Sequence, residues 1–200
     1  MTFAAFASRL ADAARAVTLA AADHEVEDKS KGGVFDPVTE ADREAELAMR
    51  ALIEADYPEH GIAGEEHEDR PARCGHSWSL DPIDGTRSFI CGLPSWTTLI
   101  ALLEDGAPIL GLIDAPRLDE RYIGDGKHAW LNGEPIRTSA CRKLGEARLS
   151  TTDPFLFVGG EAAGFERLRR AARVARYGLD AFGYARLAAG AIDLVAESGL

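Results

Sequence analysis

The sequence is poor in cysteine: Cys74, Cys91 and Cys141 are odd in number and far apart in the chain. That excludes a disulfide framework and a CxxC-type metal clip. Free buried or half-buried thiols in a reducing compartment are expected instead. Long hydrophobic runs are also missing. No stretch reaches the ~18 apolar residues of a membrane-spanning helix. The first segment, MTFAAFASRLADAARAVTLAA, lacks a basic start and carries Arg9, Asp12 and Arg15, so it does not read as a signal peptide. A cytoplasmic location without membrane association is expected. Basic residues are in deficit, with 22 Lys and Arg against 33 Asp and Glu, a net charge of −11. Such a chain is not drawn to nucleic acid or anionic lipid, although metal ions or backbone amides can reverse the field locally. The five histidines form no HxxxH or HExxH pattern and read as surface or structural. No G-x-S-x-G nucleophile motif is present.

What remains is an ordinary folded composition, 46% hydrophobic and 28% charged over 200 residues. That suits one large domain or two small ones. Phe3, Phe6, Leu10, Ala13, Val17 and Ala20 recur every three or four residues, which predicts an amphipathic first helix. Residues 23–36, with Gly32-Gly33, read as a loop. Thr39 in TEAD is an N-cap candidate for a helix running to about Ala55, with Ala45, Leu47, Ala48 and Leu52 inward. SWSLD (77–81) reads as a short strand that Pro82 stops. WTTLIALL (96–103) and APILGLIDA (107–115) read as a hairpin across EDG, and residues 120–137 as a meander. ARLSTTD (147–153) reads as a strand, residues 162–178 as a helix ending at Gly178, 181–190 as another helix, and 191–197 as a strand. Arg167, Arg169, Arg170, Arg173 and Arg176 read as a solvated stripe on one helix. This order predicts a mixed α/β (α+β), layered fold.

Chemistry concentrates in SLDPIDGTRSF (79–89). Asp-Pro and Asp-Gly are turn dipeptides, so a strand-ending turn is the plain reading of DPIDG. Two carboxylates converging across a tight bend would instead call for a cation, and oxygen ligands suit a hard ion such as Mg²⁺. If Thr86 opens a short helix, its free amides face the same spot and favour a phosphate. Upstream, GIAGEEHED (61–69) reads either as a solvated acidic loop or as a source of a further carboxylate.

DPVTEAD, GEE, LDPIDGTRSF and GYARLAAGAIDLVAE occur here in the order found in the inositol monophosphatase superfamily, and the chain resembles that family from about Lys31 onward. The resemblance implies an αβαβα sandwich, with residues 1–145 as a metal-binding α+β domain and 146–200 as the start of an α/β domain that is incomplete. It also implies the roles of individual residues. Glu65 would ligate a metal and help deprotonate water. Asp81 would bridge two metals, the Ile83 carbonyl would complete the first site, and Asp84 would ligate the second. Thr86 would orient the water with Glu65, supported by Asp42, and the Gly85 and Thr86 amides would hold phosphate. Lys31 would serve an additional metal. Mg²⁺ is the expected cofactor, a small phosphorylated metabolite the expected substrate, and a homodimer the expected assembly. The family places a further ligating aspartate about seven residues after Glu197, beyond Leu200, so truncation of the second domain is expected.

Arg87-Ser88-Phe89 after DPIDGT is similar to the histidinol-phosphatase branch, as is Asp180 in the segment from Gly178 onward. An acid at Asp180 would meet a substrate ammonium; its plain reading is a helix N-cap. Arg87 would supplement phosphate binding or lie exposed, and Glu197 would contact substrate or simply end a strand. L-histidinol phosphate is thus the expected ester. The alternatives are inositol monophosphate or another sugar or nucleotide phosphate, and, from another class, a truncated non-catalytic phosphate-binding subunit.

Overall fold

A computed structural model of the chain describes residues 1–21, 26–28 and 37–199. Lys31 and the Gly32-Gly33 loop lie outside them. Helix α1 (Phe3–Ala20) buries Phe6 and Leu10 of the stripe that the spacing predicts, but its inward face runs on through Ala7, Ala11 and Ala14, while the expected Ala13 is half-buried and Ala20 exposed. It packs on α2 (Glu40–Asp56), and both cover one face of a large sheet. Strands β1 (Val26–Asp28) and β2 (Pro37–Thr39) form a separate antiparallel pair. The large sheet contains β3 (Gly61–Gly64), β4 (His76–Asp84), β5 (Thr97–Glu104), β6 (Ala107–Ala115), β7 (Glu120–Gly124), β8 (Ala129–Leu131) and β9 (Glu134–Pro135), in sequential order. All neighbours are antiparallel except β3 with β4. The short helix α3 (Thr86–Ile90) follows β4 directly.

A second sheet has the order β11-β10-β12, from β10 (Arg148–Thr151), β11 (Val174–Tyr177) and β12 (Leu194–Val195), all parallel. Parallel strands need crossovers, and α4 (Gly160–Ala171) and α5 (Asp180–Ala188) supply them. The arrangement is the predicted mixed α/β one. Helix α5 contacts β6, β10 and β12, so it lies between the two sheets. Arg186 on α5 reaches Glu120 at 3.1 Å and the Tyr122 hydroxyl at 3.3 Å, tying the helix to the large sheet.

Several expectations need correction. The helix expected over residues 162–178 stops at Ala171, and VARY becomes β11 because its backbone pairs with β10. Arg173 and Arg176 therefore leave the supposed helical stripe, while Arg169 and Arg170 pair with Glu166. On α2, Leu47 is 52% exposed and the inward face is Ala45, Met49 and Ile53, joined by the charged Glu46 and Arg50. A buried ion pair occupies a position that apolar periodicity assigns elsewhere. All three cysteines are exposed rather than buried. Among the described residues, no helix is long and apolar enough to cross a membrane.

Candidate active site

Pro82 does not stop β4, which continues through Asp84. Its missing N–H falls where the register slips: Asp81 pairs with Leu99 and Asp84 with Thr97, three steps on β4 against two on β5. The carbonyl of Pro82 still accepts a hydrogen bond, from the Thr98 hydroxyl at 2.8 Å. The slip matters chemically. Residues three apart on a regular strand point to opposite faces, and one extra residue re-aims the chain. Asp81 and Asp84 thereby line the same cavity, together with Thr152, Asp180, Ala181 and Tyr184. Its volume is about 720 Å³.

Gly85 ends the strand with φ of 81°, a left-handed conformation that glycine adopts without steric cost. The chain then enters α3 at Thr86, which meets the condition on which the phosphate reading of GTRSF depends. The Thr86 hydroxyl donates to the Ile83 carbonyl at 3.1 Å, which fixes the direction of its proton and leaves its lone pairs as acceptors. A Cβ on Gly85 would lie 2.9 Å from Oδ2 of Asp180, so the glycine also allows α5 to bring that carboxylate close. Arg87 is exposed and bears electrostatically on Asp180.

The carboxylates converge. Asp42 at the first turn of α2 accepts from the Thr39 N–H at 2.9 Å and from the Thr39 hydroxyl, the reciprocal cap expected of TEAD. Asp42, Glu65 and Asp84 all act on Asp81, and Glu65 lies within hydrogen-bond reach of it. Burial first, then the charges of Glu65 and Asp84, hold the Asp81 carboxyl far above the usual carboxylate range. Burial pushes Asp84 up to about 6, while a hydrogen bond from the Ala181 N–H opposes this. That bond is 2.7 Å long, and Thr97 adds a weaker one at 3.4 Å. Asp84 thus accepts a first-turn amide of α5, that of its second residue, from across the cavity.

Asp81 Oδ1 is buried and has no hydrogen-bond partner among the described residues. An orphaned carboxylate oxygen among like charges is costly. The remedy available to such a site is a cation, and the donors are all oxygen, which fits a hard divalent ion. Asp81, Asp84, Glu65 and the Ile83 carbonyl are the residues that would hold it.

Asp180 opens α5 with φ of 47°, and Leu179 rather than Asp180 is the N-cap. The capping alternative for Asp180 is therefore not realised. Burial, then the charge of Glu197, raises its carboxyl, while Arg87 opposes this. Glu197 itself accepts from the Thr151 hydroxyl at 3.0 Å and from the Thr152 amide at 2.9 Å, which ties β12 to the end of β10. Gly178, with φ of 71°, donates to the Thr152 carbonyl at 2.9 Å and shapes the entry to α5. Thr97, Thr152 and the Ala181 amide were not evident as site groups in the sequence. Their signal was faint: a threonine at the start of β5, another just past the end of β10, and one backbone N–H.

A second cluster, His60, Cys74 and His76, brings three ligand atoms within 4.8 Å of one another. It does not suit a metal. The Trp78 indole donates to Nδ1 of His60 at 3.1 Å, so the proton of that ring sits on Nε2. A ligating histidine needs the reverse, with its second nitrogen donating. The histidine is a core hydrogen-bond acceptor, consistent with the structural reading of the sequence.

The whole chain, residues 1–200, matches the inositol monophosphatase family. The chain belongs to that family. The bifunctional phosphatase IMPL2 of Arabidopsis thaliana is 51% identical over 167 residues, which are 82% of this chain and 48% of that protein. The histidinol-phosphatase of Chlorobaculum parvum is 37% identical over 80% of this chain and 63% of its own length. The inositol monophosphatase structure from Zymomonas mobilis superposes with a TM-score of 0.82 at 43% identity, covering 98% of this chain and 76% of that one. The chain thus spans about half to two-thirds of the length of these curated relatives.

Proposed function

We propose that the protein is a Mg²⁺-dependent phosphomonoesterase of the cytosol acting on a small phosphorylated metabolite, L-histidinol phosphate before others. The observation that carries the catalytic reading is the buried, unpartnered Asp81 Oδ1 among Asp84, Glu65 and Asp42. When bound, Mg²⁺ supplies charge neutralisation for the phosphoryl group and acidifies the attacking water. The chain's own residues do the rest. Thr86, with its proton directed to Ile83, offers lone pairs to orient the water, and Glu65 takes up the water's proton. The Gly85 and Thr86 amides at the start of α3 face the phosphate, with Arg87 at the rim.

The choice of ester rests on Asp180. Its carboxylate stands over Gly85, beside the place where the phosphate would sit, and is partly buried. A protonated amine there would relieve its burial, and histidinol phosphate carries one. Histidinol-phosphatase relatives at 37% and 38% identity support the same choice. An inositol-1-monophosphatase relative at 33% identity supports the second reading, inositol monophosphate as substrate.

Phosphate release from histidinol phosphate, inositol 1-phosphate and an adenosine bisphosphate, with Mg²⁺ or with chelator, separates these readings. The expected order places histidinol phosphate first and shows no turnover in chelator. No turnover of any ester with Mg²⁺ would sink the enzyme reading. Asp180→Ala is expected to raise KM for histidinol phosphate about tenfold or more, the range of a lost charge-assisted hydrogen bond. Turnover of inositol 1-phosphate should change far less. Equal effects on both esters would remove Asp180 as the selectivity residue.

A further inference from the structure

Helix α2 carries a charged pair that neither the catalytic reading nor the packing of the core uses. Glu46 is fully buried and its Arg50 partner nearly so. The Arg50 Nε lies 2.6 Å from Glu46 Oε1. Two charges out of water in a helix otherwise packed by Ala45, Met49 and Ile53 need a reason, because breaking even a good buried pair is costly while an apolar pair of similar volume is often as stable.

The pair reaches one target, the loop after β3. Glu46 Oε2 accepts the Glu66 N–H at 2.8 Å. Arg50 donates to the His67 carbonyl at 3.1 Å. One turn earlier on the helix, the Arg43 carbonyl meets Nε2 of His67 at 3.2 Å. Gly64 fits the same contact: a Cβ there would stand 2.0 Å from Glu46 Oε1 and 2.7 Å from an Arg50 nitrogen. The glycine is required by close approach, not by its backbone angle.

Glu65 lies between these anchors. Gly64 pairs with Leu80 on β4, so the next residue emerges beside Asp81. The base of the loop is closed by the Ile62 and Arg70 backbones, which exchange hydrogen bonds of 2.9 and 2.8 Å. Residues 64–67 are thus held at the strand, at the base and from below by α2, the helix whose first turn also presents Asp42.

We propose that Glu46 and Arg50 are positioning residues for Glu65. They hold the 64–67 backbone so that the Glu65 carboxylate faces Asp81, and thereby set the affinity of the carboxylate centre for its divalent ion. The inference rests on the cation site proposed above.

The test uses Glu46→Met combined with Arg50→Leu, which replaces the buried charges by apolar volume, and Glu46→Gln, which keeps the shape and one acceptor oxygen. Three quantities are read: the melting temperature in chelator, amide hydrogen exchange of the 61–69 segment in chelator, and Mg²⁺ affinity by calorimetry. The double variant is expected to stay folded, to exchange the 61–69 amides faster, and to bind Mg²⁺ about 10- to 100-fold more weakly, the range seen when a group that orients a ligand is lost. Glu46→Gln should lie between it and the parent, and it decides the matter if the double variant fails to fold. Parental Mg²⁺ affinity in a folded variant would overturn the positioning role and leave a merely structural pair. Absence of Mg²⁺ binding in the parent would overturn the cation site itself. Faster exchange in the variants would then still report the loop anchoring, and unchanged exchange would remove the clamp as well.

Discussion

Asp81→Asn is expected to make the cation-free protein more stable at neutral and alkaline pH, although it removes the centre of the site. The Asp81 carboxyl is raised by burial and by the Glu65 and Asp84 charges. The sign follows from linkage. In the unfolded chain the group ionises near the ordinary carboxylate value, about 4. In the folded chain it holds its proton to much higher pH. Between these limits the folded state binds more protons, so stability falls as pH rises. Asparagine has no proton to lose and removes the like-charge conflict. Melting in chelator at pH 5 and pH 8 should therefore show a small gain for the variant at pH 5. At pH 8 the gain should be larger, on the order of 2–4 kcal/mol. Stabilisation by added Mg²⁺ should be largely lost, because the neutral amide no longer offers the negative carboxylate that a cation would neutralise. A variant less stable than the parent at pH 8 in chelator would show that the folded protein already satisfies this carboxylate from within.

The second large effect is structural. Asp114 on β6 is fully buried and receives three bonds from two guanidiniums: Arg15 at 3.0 and 2.9 Å and Arg121 at 2.8 Å. Arg15 comes from α1 and Arg121 from β7, so this one carboxylate joins the outer helix to the sheet. Both arginines also reach surface acids, Asp119 and Asp12 respectively. Those exposed contacts contribute little. Asp114→Ala leaves two guanidiniums facing an apolar gap and is expected to cost about 3–5 kcal/mol. For a chain of this size that is a fall in Tm of roughly 10 °C. Urea denaturation with an unchanged m-value checks it. A loss below about 1 kcal/mol would mean that the surface acids take over the arginines.

These two residues also mark what the sequence could convey. Asp81 stood inside a pattern, DPIDGT, whose composition already suggested held charge. Asp114 stood inside APILGLIDA, where a strand was legible but the burial of its single acid was not. Partners 99 and 7 residues away decide that burial, and no local rule reports them. The β5–β6 hairpin was readable because Asp105 and Gly106, both at positive φ, form the two-residue turn that such strands favour. The helix expected through residue 178 was overextended for the opposite reason. VARY is equally consistent with helix and strand, and pairing with β10 chose between them. Leu47, expected inward, is exposed, and its neighbour Glu46 is buried instead, where its carboxylate accepts the Glu66 N–H, a contact 20 residues away that no local pattern reports. The bend at Pro82 was read as a stop, whereas a register slip lets the strand pass and turns both aspartates to one side.

Calorimetric titration with Mg²⁺ near pH 7, in two buffers of different ionisation enthalpy, tests the carboxylate centre most directly. Asp81 is held protonated near pH 7, so a cation must displace that proton to bind there, whereas Asp84, raised to about 6, is already mostly ionised. The expected result is Mg²⁺ binding with proton release to the buffer, abolished in Asp81→Asn. Absence of binding in the parent protein, or binding that Asp81→Asn leaves unchanged, would contradict the assignment of this centre.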